Sequence, residues 1–240
     1  QDTRSTSATA VSQATALTGT TGTKPETAVS WSRQQTPVEV IAVWVPVTSQ
    51  QLADAPEIRG VIDGELRSDL DLQLDYQVFQ GDGTSPNLSG ILNAGIQAVA
   101  YATGTYDNLA DAMLAGVVQI MTANEPEPTM IGLNPVQWKV FSWMKETGTG
   151  AYIAGPPTQG GPRAMWGYPL VVSNRIPNQT GIVGNTATVC LHMRVDASIK
   201  VGFAEDDFIN NRLRILAELR AALTVRRPNA WCRVTALPTT

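Results

Sequence analysis

The sequence predicts an α+β fold, and three features of the chain carry that prediction. Residues 38–47, VEVIAVWVPV, are rich in the β-branched and aromatic side chains that favour strands. Between residues 52 and 78, apolar side chains recur at steps of three and four, as on one face of an amphipathic helix. Residues 212–226 alternate between apolar and polar, which is typical of a half-buried strand. The chain of 240 residues is 43% apolar and 16% charged, as in globular proteins.

The N-terminal segment, residues 1–36, is dominated by Thr, Ser, Ala, Gln and Gly. It has too few large apolar side chains to offset the entropy lost when it becomes ordered, so we expect other chains to hold it. Together with the strand at 38–47, it predicts a long two-stranded arm. The sequence does not begin with Met, so we expect either a processed chain or a start inside a longer one.

A long helix is predicted to run to about Gln80, with Asp54 as a cap and Pro56 in its first turn. Its apolar stripe repeats every three or four residues and comprises Leu52, Ala55, Ile58, Ile62, Leu66, Leu70, Leu74 and Val78. The turn-forming residues GDGT at 81–84 end it. About 25 helical residues span about 40 Å, and the outer face of this helix is mainly acidic.

Helices and strands both occur in the middle of the chain. Residues 106–122 and 135–145 are predicted helices, the second with Pro135 at its first position after an Asn134 cap. Residues 129–134 and the segment YPLVVS at 168–173 are predicted strands, and a Gly- and Pro-rich loop at 147–164 precedes the latter.

The C-terminal segment RLRILAELRAALTV, residues 212–225, contains many helix-favouring residues. Its apolar side chains nevertheless occupy every odd position, and this period of two predicts a strand. A strand of about 14 residues would be about 46 Å long, which is longer than a compact domain usually needs.

Several function classes are disfavoured by composition. A net charge of −4 argues against a protein that binds nucleic acid through its phosphates. No apolar run in the sequence is long enough for a membrane span. Cys190 and Cys232 have no metal or disulfide spacing, so we expect reduced thiols. The single histidine, His192, has no triad motif around it, and the glycine-rich turns match no phosphate-binding loop. We therefore expect a structural protein, not an enzyme, with no cofactor and no metal.

Six segments in order carry a resemblance to a known family: KPE in the arm, APEIRGVIDGEL leading to GDGT, LNP, MWGYPLVVS, DDFINNRLRILAELR and RRPNAW. From about residue 15 to 236, the chain resembles the major capsid proteins of tailed bacteriophages, whose Hong Kong phage type of fold is shared with encapsulins. The resemblance implies an elongated β-hairpin arm, a long spine helix, and peripheral and axial domains. The implied divisions are the end of an N-terminal region (1–14), the elongated loop (15–46), the spine helix and peripheral domain (47–86), the axial domain (87–197) and the C-terminal strands of the peripheral domain (198–240).

The function implied by the resemblance is that of a homo-oligomeric shell subunit. Hexamers and pentamers would form an icosahedral capsid enclosing double-stranded DNA without sequence-specific binding. Portal, decoration or scaffold proteins would be partners, no membrane would be involved, and assembly in the host bacterial cytoplasm would yield a virion capsid. An encapsulin-type bacterial nanocompartment is the alternative, and a stand-alone enzyme or binding module is a third. A monomer of 25.7 kDa in solution would indicate the last.

The resemblance also implies a covalent cross-link. In some family members a lysine of the elongated loop reacts with an asparagine of another subunit while a glutamate acts as base, and the matching residues are Lys24, Asn211 and Glu218. Deprotonating a lysine whose pKa is near 10.4 costs roughly 4.6 kcal/mol at pH 7, and a buried pocket lowers that cost. Asn211 and Glu218 are seven residues apart, so on a regular strand they face opposite sides, and we expect the trio to draw on more than two chains. Alternatively, Lys24 is a charged tip on an exposed loop.

Overall fold

The computed structural model describes residues 2–4, 29–31, 35–54, 56–102, 108–146, 150–152, 154 and 163–239. These described residues form eleven strands and four α-helices. The strands are β1 Asp2–Arg4, β2 Val29–Trp31, β3 Glu39–Thr48, β4 Gln97–Ala100, β5 Met130–Leu133, β6 Ala164–Met165, β7 Tyr168–Val172, β8 Gly181–Gly184, β9 Val189–Gly202, β10 Arg212–Val225 and β11 Trp231–Thr235. The helices are α1 Ser49–Asp54, α2 Pro56–Gln80, α3 Leu109–Thr122 and α4 Pro135–Trp143.

The first unit of the chain, Gln1–Gln35, contains a two-stranded sheet. Strands β1 and β2 pair antiparallel, with Asp2 opposite Trp31. Strand β3 pairs antiparallel with β10, and the predicted pairing of residues 38–47 with the N-terminal segment falls largely on residues 5–28 and 32–34, outside the described residues. Composition identified the strand at 38–47, but its partner is far along the chain and could not be deduced from local pattern.

The second unit, Thr36–Thr240, contains a three-stranded antiparallel sheet in the order β3-β10-β9. β10 covers the predicted residues. Ile215 and Leu219 are 1% exposed, and Ala217 and Ala221 are fully buried, all on one face of the strand. Burial on alternate residues confirms the period of two over the helix propensity of the same residues.

Helix α2 covers that face and confirms the predicted long helix. Leu66 and Leu70, one turn apart, are 5% and 1% exposed and lie in the same apolar cluster as Ile215 and Leu219. The helix ends at Gln80, and the N–H of the following residue, Gly81, donates to the Gln77 carbonyl at 3.0 Å. Gln77 is itself buried, and its side-chain oxygen accepts from the Leu88 N–H at 3.0 Å, which fixes the turn after the helix.

A second, six-stranded sheet has the order β4-β11-β8-β5-β7-β6. Helix α3 packs on it through apolar residues that include Met113 and Ile120. The predicted helices at 106–122 and 135–145 are present in shorter form, and each begins after an asparagine cap. Asn108 Oδ1 accepts from the Asp111 N–H at 3.0 Å, and Asn134 Oδ1 accepts from the Val136 N–H at 3.0 Å.

A third apolar cluster contains residues of both sheets of this unit. Leu223 of β10, Ile182 of β8 and Trp231 of β11 are all nearly or fully buried within it. The Trp231 indole Nε1 donates to Thr188 Oγ1 at 2.8 Å, so its one polar atom is satisfied. Strand β10 therefore contributes to two apolar clusters: Ile215 and Leu219 lie in the cluster under α2, and Leu223 lies in this one.

Candidate cross-link site

The three predicted cross-link residues fall in different parts of the chain. Lys24 lies outside the described residues. Asn211 is the exposed residue directly before β10, and Glu218 lies in the middle of that strand. Glu218 has Ala42 of β3 and Ser198 of β9 as its cross-strand neighbours.

Asn211 terminates the turn that leads into β10. Its φ of 51° is in the left-handed region, which asparagine tolerates better than most residues. Its carbonyl accepts from the Ser49 N–H at 2.8 Å, which ties the turn to the start of α1. Asn211 thus precedes the regular strand, and the alternation of faces along β10 does not fix the direction of its side chain. The irregular pairing of β9 with β10 begins only after Glu218, so no bulge intervenes between the two residues.

Arg214 anchors the turn at residues 203–211. Its Nε lies 2.6 Å from Asp207 Oδ2, and its Nη2 donates to Glu205 Oε2 at 3.3 Å. The guanidinium also lies 4.8 Å from the ring centroid of Trp44. Asp207, only 5% exposed, also accepts a hydrogen bond from the Ala204 N–H at 3.0 Å. The Asp207 carboxylate raises the pKa of Arg214, so the anchor is permanently charged.

Glu218 forms an ion pair with Lys200 of β9 in the same chain. Lys200 is paired in register with Leu216, two residues before Glu218. Such diagonal neighbours on one face of a sheet are within reach of long side chains. The Glu218 side chain is 27% exposed and that of Lys200 is 62% exposed, so the pair is partly solvated on the face of the sheet opposite α2.

Apolar side chains are exposed beside these charged groups. Trp44, Leu216, Val201 and Phe203 line an open groove of about 280 Å³. Phe203 packs edge-on against Phe208 with 5.8 Å between ring centroids, yet both remain more than half exposed. The groove is therefore a candidate contact surface for another protein.

Other kinds of site are not indicated in the described part of the chain. Among those residues, no three His, Cys, Asp or Glu side chains lie together in a way that would hold a metal ion. No helix among them is long and apolar enough to cross a membrane. Cys190 and Cys232 are both free thiols, as predicted.

Comparison with known proteins places the chain in a family. The model of the phage capsid family matches residues 2–235. The chain belongs to this family. It is 34% identical over 212 residues to the major capsid protein of Enterobacteria phage HK97, an alignment covering 86% of this chain and 54% of that protein. The chain thus spans about half the length of the curated relative it matches, and the relative is a structural shell protein.

Chains in solved phage structures share the fold at low sequence identity. A chain from Gordonia phage Cozz superposes with a TM-score of 0.76 at 15% identity, covering 100% of this chain and 81% of that one. A chain from Mycobacterium phage Adephagia gives a TM-score of 0.73 at 16% identity, with coverage of 100% and 84%. These likenesses show that the α+β capsid fold predicted from the sequence is correct.

Two residues near the candidate site were missed by the sequence reasoning. The sequence pattern places Arg214 only on the polar face of the strand at 212–226, and it does not single out Lys200. The alternation of β10 correctly put Arg214 and Glu218 on one face, but the register between β10 and β9 is set by contacts far apart in sequence. The proximity of Lys200 to Glu218 was therefore not readable from the chain.

Proposed function

We propose that this protein is a major capsid protein whose copies assemble into hexamers and pentamers of an icosahedral shell around double-stranded DNA. The observation that carries the proposal is the family match over residues 2–235. The exposed apolar groove next to Trp44 and the exposed Phe208 support it, because a subunit that tiles a shell must bury such surface against its neighbours.

The division of the chain is part of the proposal. Residues 15–46 would form the elongated loop, 47–86 the spine helix with part of the peripheral domain, 87–197 the axial domain and 198–240 the remaining peripheral strands, with 1–14 ending the N-terminal region. Helix α2 and strand β10 fall in the spine and peripheral divisions, respectively, and they share one apolar core.

Partners follow from the same proposal. A solved assembly of phage G contains gp27 major capsid proteins with gp26 decoration proteins, and one of its chains has a TM-score of 0.68 to this chain. We propose that a portal and decoration or scaffold proteins also act with this protein, and that assembly takes place in the host cytoplasm before the virion is complete.

Electron microscopy of the purified protein tests the shell proposal. Closed particles containing hexamers and pentamers are expected, and a 25.7 kDa monomer at every concentration would contradict it. Particles purified without DNA, with a bound cargo peptide, would instead indicate the encapsulin alternative.

We further propose that mature shells are welded, that is, covalently cross-linked, by an isopeptide bond between Lys24 of one subunit and Asn211 of another. The ammonium of Lys24 first gives a proton to Glu218. The neutral Nζ then attacks Cγ of Asn211, the Cγ–Nδ2 bond breaks, and the nitrogen leaves as ammonia, which takes up the proton held by Glu218. The products are an isopeptide bond and an ammonium ion, so no further reactant is needed. The exposed position of Asn211 ahead of β10 supports a role as acceptor for another chain.

Three substitutions test the weld, each blocking a different step. Lys24→Arg leaves a side chain that stays protonated, Asn211→Asp gives a carboxylate that resists attack by an amine, and Glu218→Gln removes the proton acceptor. Unmodified mature shells boiled in detergent should run as ladders on a gel, whereas each variant should assemble and run as a monomer. Mature unmodified shells that dissolve to monomer would refute the weld and leave the shell proposal standing.

A further inference from the structure

The proposed base Glu218 already has a cationic partner inside its own subunit. Lys200 of β9 is ion-paired with the Glu218 carboxylate in the single chain, before any neighbour is present. The strand register explains the pair: Lys200 lies opposite Leu216, and its long side chain extends diagonally to Glu218 on the face that α2 leaves uncovered.

Among the residues that the structure describes, no second cation is ion-paired with Glu218. Its direct cross-strand neighbours, Ala42 and Ser198, carry no charge. Arg214, four residues earlier on the same strand, is engaged by Asp207 and Glu205. Arg220, two residues later, is exposed. Lys200 is therefore the cation that the structure places on this carboxylate.

We propose that Lys200 restrains the cross-link reaction by holding the Glu218 carboxylate in an ion pair whose attraction is lost when the carboxylate takes a proton from the incoming Lys24. This inference rests on the proposed weld. It assigns Lys200 a positioning role, acting through Glu218, and makes welding depend on a neighbour that competes for the carboxylate.

The direction of the effect follows from the charges. When a proton moves from Lys24 to Glu218, the attraction between Lys200 and Glu218 is lost, and so is the repulsion between the two lysines. The Lys200 ammonium lies closer to the Glu218 carboxylate than to the Lys24 ammonium on the other side of that carboxylate. The attraction that is lost is therefore larger than the repulsion that is lost. Lys200 thus makes the proton transfer less favourable and slows the weld.

The size of the effect is limited by solvent. Because Lys200 is mostly exposed, the pair belongs to the partly screened class, for which removal of one partner changes an equilibrium or rate by about two- to fivefold. Salt should reduce the effect, since exposed charges are screened over about 10 Å at 0.1 M ionic strength.

Assembled but unlinked shells provide the test. The rate of cross-linking is followed by boiling samples in detergent at intervals, at low and high NaCl. Lys200→Met should link about two- to fivefold faster than the unmodified protein at low salt, whereas Lys200→Arg, which keeps the charge, should link at the unmodified rate. Lys139→Met removes a lysine on α4, away from the three-stranded sheet, and serves as the matched control. The unmodified rate should rise with salt toward that of Lys200→Met.

Each outcome decides between the two proposals. If Lys200→Met links at the unmodified rate or more slowly, in shells where Glu218→Gln abolishes the bond, the restraining role of Lys200 is wrong and the weld stands. If Lys200→Met fails to assemble, the salt series of the unmodified protein decides, because a rate that does not rise with salt contradicts an ion-pair restraint. Unmodified shells that never link would refute the weld and this role together.

Discussion

Replacing Arg214 by Met should destabilise the subunit more than its partly exposed position suggests. Asp207 is 5% exposed and has only the Arg214 ion pair and the Ala204 N–H as partners among the contacts described here. Removing the cation leaves a buried carboxylate with one hydrogen bond, and breaking a fully buried pair costs about 3–5 kcal/mol. The Arg214 side chain is 28% exposed, so water can partly replace it. We expect a loss of about 2 kcal/mol, including the contact with Trp44.

A double variant isolates the cause. Arg214→Met with Asp207→Asn removes the unpaired charge and keeps an oxygen that accepts from the Ala204 N–H, so about half of the lost stability should return. Arg212→Met is the matched control, because Arg212 is exposed two residues earlier on the same strand, and it should change stability by less than about 0.5 kcal/mol.

Urea unfolding of the dissociated subunit, followed by tryptophan fluorescence, measures these differences. Arg214→Met should also slow the proposed cross-linking in assembled shells, since the turn that ends at Asn211 loses its anchor. The reasoning would be refuted by an Arg214→Met variant as stable as Arg212→Met, or by a double variant less stable than the single one.

Two further predictions concern the third apolar cluster, which contains Trp231, and the two thiols. Gly184→Ala should cost about 1–3 kcal/mol, because a Cβ there would overlap the buried indole of Trp231, whereas Gly202→Ala, with open space around it, should be nearly neutral in the same unfolding assay. Burial raises the pKa of Cys232 to about 11. Since the thiolate is the reactive form, alkylation of the folded protein at pH 8 should label Cys190 alone. Mass spectrometry should find two labels only after unfolding. Rapid labelling of both thiols in the folded chain would contradict the buried position of Cys232.

The elements that the sequence predicted well are those whose pattern is local. The period of two predicts the extent of β10, because alternate residues such as Ile215 and Leu219 form the face that packs on α2. The stop of α2 was readable from GDGT, since Gly81 begins a tight turn. The order of short motifs then identified the family, which the match over residues 2–235 confirms.

Pairing between distant segments was not predictable in the same way. Residues 38–47 form a strand as the sequence predicts, but nothing in the local pattern indicates that β3 pairs with β10, which lies far along the chain. One consequence concerns the elongated-loop proposal: deleting 15–46 would remove most of β3 and uncover an edge of β10. A deletion that ends before Glu39 is therefore the one that tests the loop without damaging the sheet.

The candidate site combines both kinds of information on one strand. Alternation along β10 commits its odd residues to the core under α2 and leaves its even residues, among them Arg214 and Glu218, on the opposite face. On that face, each charged side chain contacts residues from other segments. Arg214 lies over the ring of Trp44 and is ion-paired with Asp207 of the 203–211 turn, and Glu218 is ion-paired with Lys200. The core face thereby fixes the backbone on which the acceptor turn and the proposed base are held, while the other face remains available to a neighbouring subunit.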